Sequence, residues 1–128
     1  MRPIRWLILP VILSAFACAS RHPPATFLHT DFKPWNDWMD GVVSVDITNL
    51  PLGALATRQA FQGMNMTLND VDTEYRIALQ ADKVTRRQAL WLLAGKYGLS
   101  MNVGTNAGLP SFIVITNRQL RRPNSPLK

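Results

Sequence analysis

From Val42 onward, apolar and polar positions alternate in short runs, and two stretches of helical spacing interrupt them. Val43, Val45 and Ile47 share one side of a strand whose other side carries Ser44 and Asp46, the period-two pattern of a half-buried strand. Asn49-Leu50-Pro51 reads as a helix start, because the N–H that proline lacks has no partner in a first turn anyway. Leu52, Leu55, Ala56, Gln59 and Ala60 then fall on one helix face that Gly63 ends. Met64, Met66 and Leu68 alternate with Asn65, Thr67 and Asn69 as a second strand, and Asn69-Asp70 marks a turn. Tyr75, Ile77 and Leu79 form a third strand, with Arg76 and Gln80 outside. Thr85 is placed to cap a second helix with apolar positions Ala89, Leu90, Leu92, Leu93 and Tyr97, and Gly98 supplies its left-handed terminus. Leu99, Met101 and Val103 make a fourth strand, residues 104–110 a turn and residues 112–115 a fifth strand. The predicted domain covers residues 42–118 in the order β-α-β-β-α-β-β.

An internal echo supports this parse. At an offset of 35 positions, Ala54-Leu55 matches Ala89-Leu90, Gly63 matches Gly98, Met66 matches Met101 and Leu68 stands opposite Val103. Each unit is a helix, a glycine terminator and an alternating strand. Neither can bury its apolar face alone, so two of them stacked predict a small α+β core, two helices packed with small β-sheets. A core of this size is only marginally stable by itself, and docking to a partner would add to it.

The chain ahead of this domain has a different character. Arg2 and Arg5 precede a twelve-residue apolar run at 6–17, and the lone Cys18 follows. A membrane-spanning helix needs about 20 apolar residues. A shorter run behind a positive start is the pattern of a secretory signal peptide, here residues 1–17. Ala15-Phe16-Ala17 suits ordinary signal peptidase, cutting before Cys18 or after Ala19. It also resembles the lipobox of bacterial lipoproteins, in which the cysteine is acylated and becomes N-terminal. An unpaired thiol is a liability in an oxidising periplasm, and acylation accounts for the only cysteine falling at this boundary. Ala19 stands where an inner-membrane lipoprotein carries Asp, so the expected address is the outer membrane, lipid-anchored through Cys18 and facing the periplasm.

Residues 18–41 contain Pro23, Pro24 and Pro34 and show no periodicity, which predicts an extended tether of up to about 75 Å. A pure spacer would be polar, yet Phe27, Leu28, Phe32, Trp35, Trp38 and Met39 lie within it. Two readings stay open. Phe27, Phe32, Trp35, Trp38 and Met39 are anchors for a partner surface, since large rigid side chains dominate interface centres. Alternatively they fold back onto the domain through a short helical turn at 34–38.

Composition narrows the function classes. The 128 residues (14.4 kDa) allow one domain plus tails, and 47% hydrophobic with 17% charged residues is the balance of a folded chain. Fourteen basic against eight acidic residues give +6, of which Arg2 and Arg5 account for two. The remaining +4, part of it in a basic tail at 119–128, is too mild for a nucleic-acid footprint. One cysteine excludes an internal disulfide and a Cys-based zinc cluster. Both histidines, His22 and His29, precede the domain, so no Ser/His/Asp set forms within it, and no phosphate-loop, dinucleotide or zinc-protease motif occurs. Asp70, Asp72 and Glu74 lack the central Gly and terminal Glu of a calcium loop. Arg86 and Arg87, near Lys83, read as a solvated basic spot at a helix start. The expectation is a non-enzymatic protein with no catalytic residues, no metal and no cofactor.

The order of elements resembles the short N-terminal domain of secretins and TonB-dependent transducers, the STN or N-zero family. The residues that carry the resemblance are Leu52, Ala54-Leu55 and Gly63, then Val84-Thr85, Ala89-Leu90, Leu93, Tyr97-Gly98-Leu99 and Phe112-Ile113-Val114-Ile115. Met64-Asn65-Met66-Thr67 departs from the more β-branched strand usual after the first glycine. The resemblance implies a secretin N-zero-like fold in a small secretion-system lipoprotein, like the DotD-like proteins of type IVB machines or the short lipoproteins of type IV core complexes. It further implies a structural subunit of a ring-shaped hetero-oligomer, bound to a larger outer-membrane secretion-channel subunit. The rival expectation is a soluble periplasmic peptide-binding or accessory module that adds a peptide strand along residues 112–115.

Overall fold

The computed structural model describes residues 22–117, so the apolar run, Cys18 and the basic tail lie outside the described residues. Among the described residues, two α-helices, α1 (Lys33–Met39) and α2 (Arg86–Tyr97), and five strands make a mixed α+β fold. The strands are β1 (Val42–Pro51), β2 (Met66–Asn69), β3 (Arg76–Thr85), β4 (Leu99–Asn106) and β5 (Leu109–Asn117). β1 and β3 pair antiparallel as a two-stranded sheet, and the other three strands form a second sheet in the order β2-β5-β4.

The second sheet gives the internal echo its physical meaning. β2 runs parallel to β5 and β4 antiparallel to it. Met66 and Val103 are therefore both registered on Ile113, and Leu68 and Met101 both on Ile115. Ile113 and Ile115 are fully buried. Each repeated strand thus closes one side of the same central strand, which is how two units that cannot bury themselves share a core. Leu90 and Leu93 of α2 and Ile47 and Ile77 of the other sheet complete that core.

Local sequence sets the ends of α2 as expected. The Thr85 hydroxyl accepts from the Gln88 N–H at 3.0 Å, and Gly98 closes the helix in the left-handed region at φ +64°. Gly104 has a different role: the Phe112 ring lies over its backbone, and a Cβ there would come within 2.2 Å of the ring.

Three local expectations are corrected. The helix expected to start at Asn49-Leu50-Pro51 is not formed: those residues end β1, and two 3-10 turns follow, Leu52–Thr57 and Gln59–Phe61, broken where Arg58 is extended. The buried residues Leu52 and Leu55 of the first turn are three apart, the 3-10 repeat. The turn expected at 104–110 shrinks to Ala107-Gly108, both at positive φ (56° and 83°), the backbone of a two-residue hairpin. The third strand begins after Tyr75 and continues to Thr85.

The expected extended tether is also corrected. Residues 33–39 are helical, with Pro34 in the first turn, and Met39 and Leu28 are buried in the core. Of the two readings left open, folding back is the one realised. The cause is apolar area: leaving a methionine and a leucine in water would forfeit roughly 1.5–3 kcal/mol each.

Candidate functional site

The residues that follow the predicted export signal form a strap, residues 27–41, laid against the start of α2. Two adjacent arginines hold it there. Arg87 is 9% exposed. Its guanidinium donates to the Phe27 carbonyl at 3.0 Å, to Asn36 Oδ1 at 3.3 Å and to the Asp40 carboxylate. Arg86 donates to the Trp38 carbonyl at 2.9 Å and to the Ala60 carbonyl at 2.8 Å. Its guanidinium also stacks on the Trp38 ring, 4.5 Å from the centroid, a cation–π contact. The Arg86 N–H continues the attachment to the Gly41 carbonyl at 3.0 Å.

Inside the strap, Asn36 fixes the turn before α1. Its amide donates to the Thr30 carbonyl at 2.6 Å and its oxygen accepts from the Thr30 N–H at 3.2 Å. Trp35 Nε1 donates to the Leu28 carbonyl at 2.9 Å, and Phe27 meets Trp91 of α2 edge-to-face at 5.0 Å. Lys33 pairs with Asp37 at 2.8 Å on the solvent side of α1, which raises the Lys33 pKa through the hydrogen bond first and the charge second.

The proposed partner residues therefore have unequal fates. Phe32 is 37% exposed, and Trp35 and Trp38 are half-buried. Together with Pro34, Met64 and Pro110 they wall a groove of about 220 Å³ between the strap and the sheet. Phe27 is partly buried against Trp91. Met39 is corrected: at 0% exposure it is a core residue and has no surface to offer a partner. Cys18 lies outside the described residues.

Sequence reasoning missed Arg86 and Arg87, which read as a solvated spot and are the clamp of the strap. No local signal was available, since their side-chain partners in the strap lie 47 to 60 positions away. The edge expected for peptide addition is corrected too. Residues 112–115 belong to β5, the central strand of its sheet, and both of its sides are already paired.

Among the described residues, no group of three or more His, Cys, Asp or Glu side chains is arranged to hold a metal ion. Nor, among the described residues, is any helix long and apolar enough to cross a membrane. No protein-family model, curated protein or solved structure matches the chain.

Proposed function

We propose that this protein is an outer-membrane lipoprotein serving as a structural subunit of a type IV secretion, conjugation or secretin-type envelope channel, without chemistry of its own. In this reading Cys18 carries the acyl anchor, and the domain has a secretin N-zero-like fold. A larger outer-membrane subunit docks on the strap. The observation that carries the reading is the strap itself. The segment next to the expected anchor is a folded element whose outer side presents Phe32, Trp35 and Trp38 around one groove. Large rings that are held rigid and left partly exposed are the residue type that dominates interface centres. The strand order β1-β3 and β2-β5-β4, with a helix and 3-10 turns between the sheets, is compatible with the family resemblance.

The strap also shortens the tether. Between Cys18 and Phe27 lie nine residue steps, which span at most about 30 Å. A domain anchored at Cys18 is thereby kept close to the membrane surface, as a subunit held in a fixed ring requires. A single acyl chain binds a membrane only marginally, so the several chains of a mature lipoprotein would be needed for durable attachment.

Two substitutions test the reading separately. Cys18→Ser should move the protein from the outer-membrane fraction to the soluble periplasmic fraction; continued sedimentation with outer membranes would refute lipid anchoring. Phe32→Ser combined with Trp35→Ser should abolish co-purification with the large native complex while the far-UV circular dichroism stays that of the wild type. Undiminished co-purification would remove the groove from the proposal.

A further inference from the structure

The two sheets have four outer edges, and three of them are closed or broken. On β3, the Ala78 N–H donates to the Tyr97 hydroxyl at 2.7 Å, and the Ala78 carbonyl accepts from Lys96 Nζ at 3.1 Å and from the Tyr97 hydroxyl at 3.2 Å. On β1, the register breaks between Val43 and Val45 and again between Ile47 and Leu50, and the strand carries Asp46 and ends on Pro51. β2 is four residues long. Bulges, charges, prolines, covering side chains and short length are the means by which proteins stop an edge from pairing with another chain.

β4 has little of this protection. It is eight residues long, LSMNVGTN, with no charged residue and no proline. Its register on β5 is regular from Leu99 to Gly104, with one shift between Gly104 and Thr105. Among the described residues, positions 100–106 have no backbone partner other than β5. Val103 and Thr105 of β4 also line a hollow of about 550 Å³ together with Asp31 and Phe32 of the strap, Leu109 and Pro110. Leu109 is 51% exposed.

We infer that the outer edge of β4 is a binding site for an extended, uncharged peptide segment of another protein, added as a fourth strand to the β2-β5-β4 sheet. Backbone hydrogen bonds along positions 100–106 hold the segment, and the hollow takes one bulky apolar side chain from it. This division, affinity from the ladder and selectivity from a pocket at alternate residues, is how strand addition works. The occupant is a peptide segment rather than a second copy because of area. Two rigid domains joined edge to edge would share only a strip about 26 Å long and about 10 Å thick, roughly 500 Å² over both partners, well short of the roughly 1,200 Å² that a specific stable interface buries. A flexible segment can follow the edge and also fill the hollow. The inference goes beyond the proposed function and holds whether or not Cys18 is acylated.

The test uses the full chain in detergent and a capped octapeptide, Thr-Val-Thr-Phe-Thr-Val-Thr-Val, with a control in which two of its valines are proline. Hydrogen exchange should show amides in 100–106 gaining protection with the first peptide and not with the second. Asn102→Lys with Asn106→Lys, both at exposed positions, should weaken binding about tenfold with unchanged circular dichroism. Leu109→Asp should erase the advantage of Phe over Ala at the fourth peptide position. Any of three results would overturn the inference: no protection in β4 at millimolar peptide, equal binding of the proline control, or a wild-type dimer that the double lysine variant dissolves. The Cys18→Ser chain should bind the peptide unchanged. Membrane fractionation and peptide binding therefore fail independently.

Discussion

Arg87 reaches three points of the strap with one guanidinium: the Phe27 carbonyl, Asn36 and Asp40. Its guanidinium is 10% exposed, whereas its partner carboxylate on Asp40 is 58% exposed, so the stability lies in desolvated hydrogen bonds to the strap rather than in the charge pair. Exposed pairs contribute little, and buried unpaired donors are costly. Arg87→Ala should therefore lower stability by about 2–4 kcal/mol and render residues 22–41 sensitive to limited proteolysis. A wild-type cleavage pattern would show that the strap is held by packing alone. Lys33 is the opposite case. Its raised pKa means that its contribution is fully present below the ordinary lysine value of 10.5 and is lost as pH rises through the raised one. Being fully exposed, the Lys33–Asp37 pair is screened by solvent, so Lys33→Gln should leave the thermal melting curve at pH 7 superimposable on that of the wild type.

Among the elements, the strap and the β4–β5 hairpin make the sharpest predictions. Met39 is fully buried although it lies outside the periodic part of the sequence, and Met39→Ala should cost about 2–5 kcal/mol by denaturant titration. For the same reason a chain beginning at Val42 should fail to give a cooperative melt, whereas one beginning at His22 should fold. The hairpin holds Ala107 at φ +56°, a conformation that Asn adopts with less strain. Ala107→Asn should stabilise the protein by about 0.5–1 kcal/mol, read as a rise in melting temperature. Most of these elements were legible as alternation or as caps: Thr85 and Gly98 fall where the pattern puts them, and each strand overlaps its expected run, with β1, β3, β4 and β5 extending beyond it. The first helix was not, because a spacing of three fits a 3-10 turn as well as it fits one side of an α-helix. The strap was not, because α1 has seven residues, too few to show a period.

At the scale of the whole molecule, the strap lies against a domain built from two half-units around β5. The groove at the strap and the hollow beside β4 share Phe32 and Pro110 as walls. A partner that filled both would touch strap and sheet together. A Gly104→Val variant should report on that shared region, since its side chain would displace the Phe112 ring that lies over Gly104. The expected loss is about 1–3 kcal/mol, with altered hydrogen exchange in β4 and β5. Unchanged exchange there would mean that the hairpin absorbs the added volume elsewhere.

Periodicity by itself determined the strands, the capped helix and the α+β class, because alternation and capping are properties of neighbours in sequence and act before any distant contact forms. The order of arginines, apolar run and cysteine gave the expectation of an export signal and a lipid anchor, on residues that lie outside the described ones. Only the tertiary structure decided which strand became central, which edge stayed open, and that two arginines at a helix start clamp a segment some fifty residues away. Those outcomes depend on pairings between distant positions, where burial and desolvation set the free energy and no local pattern carries the information.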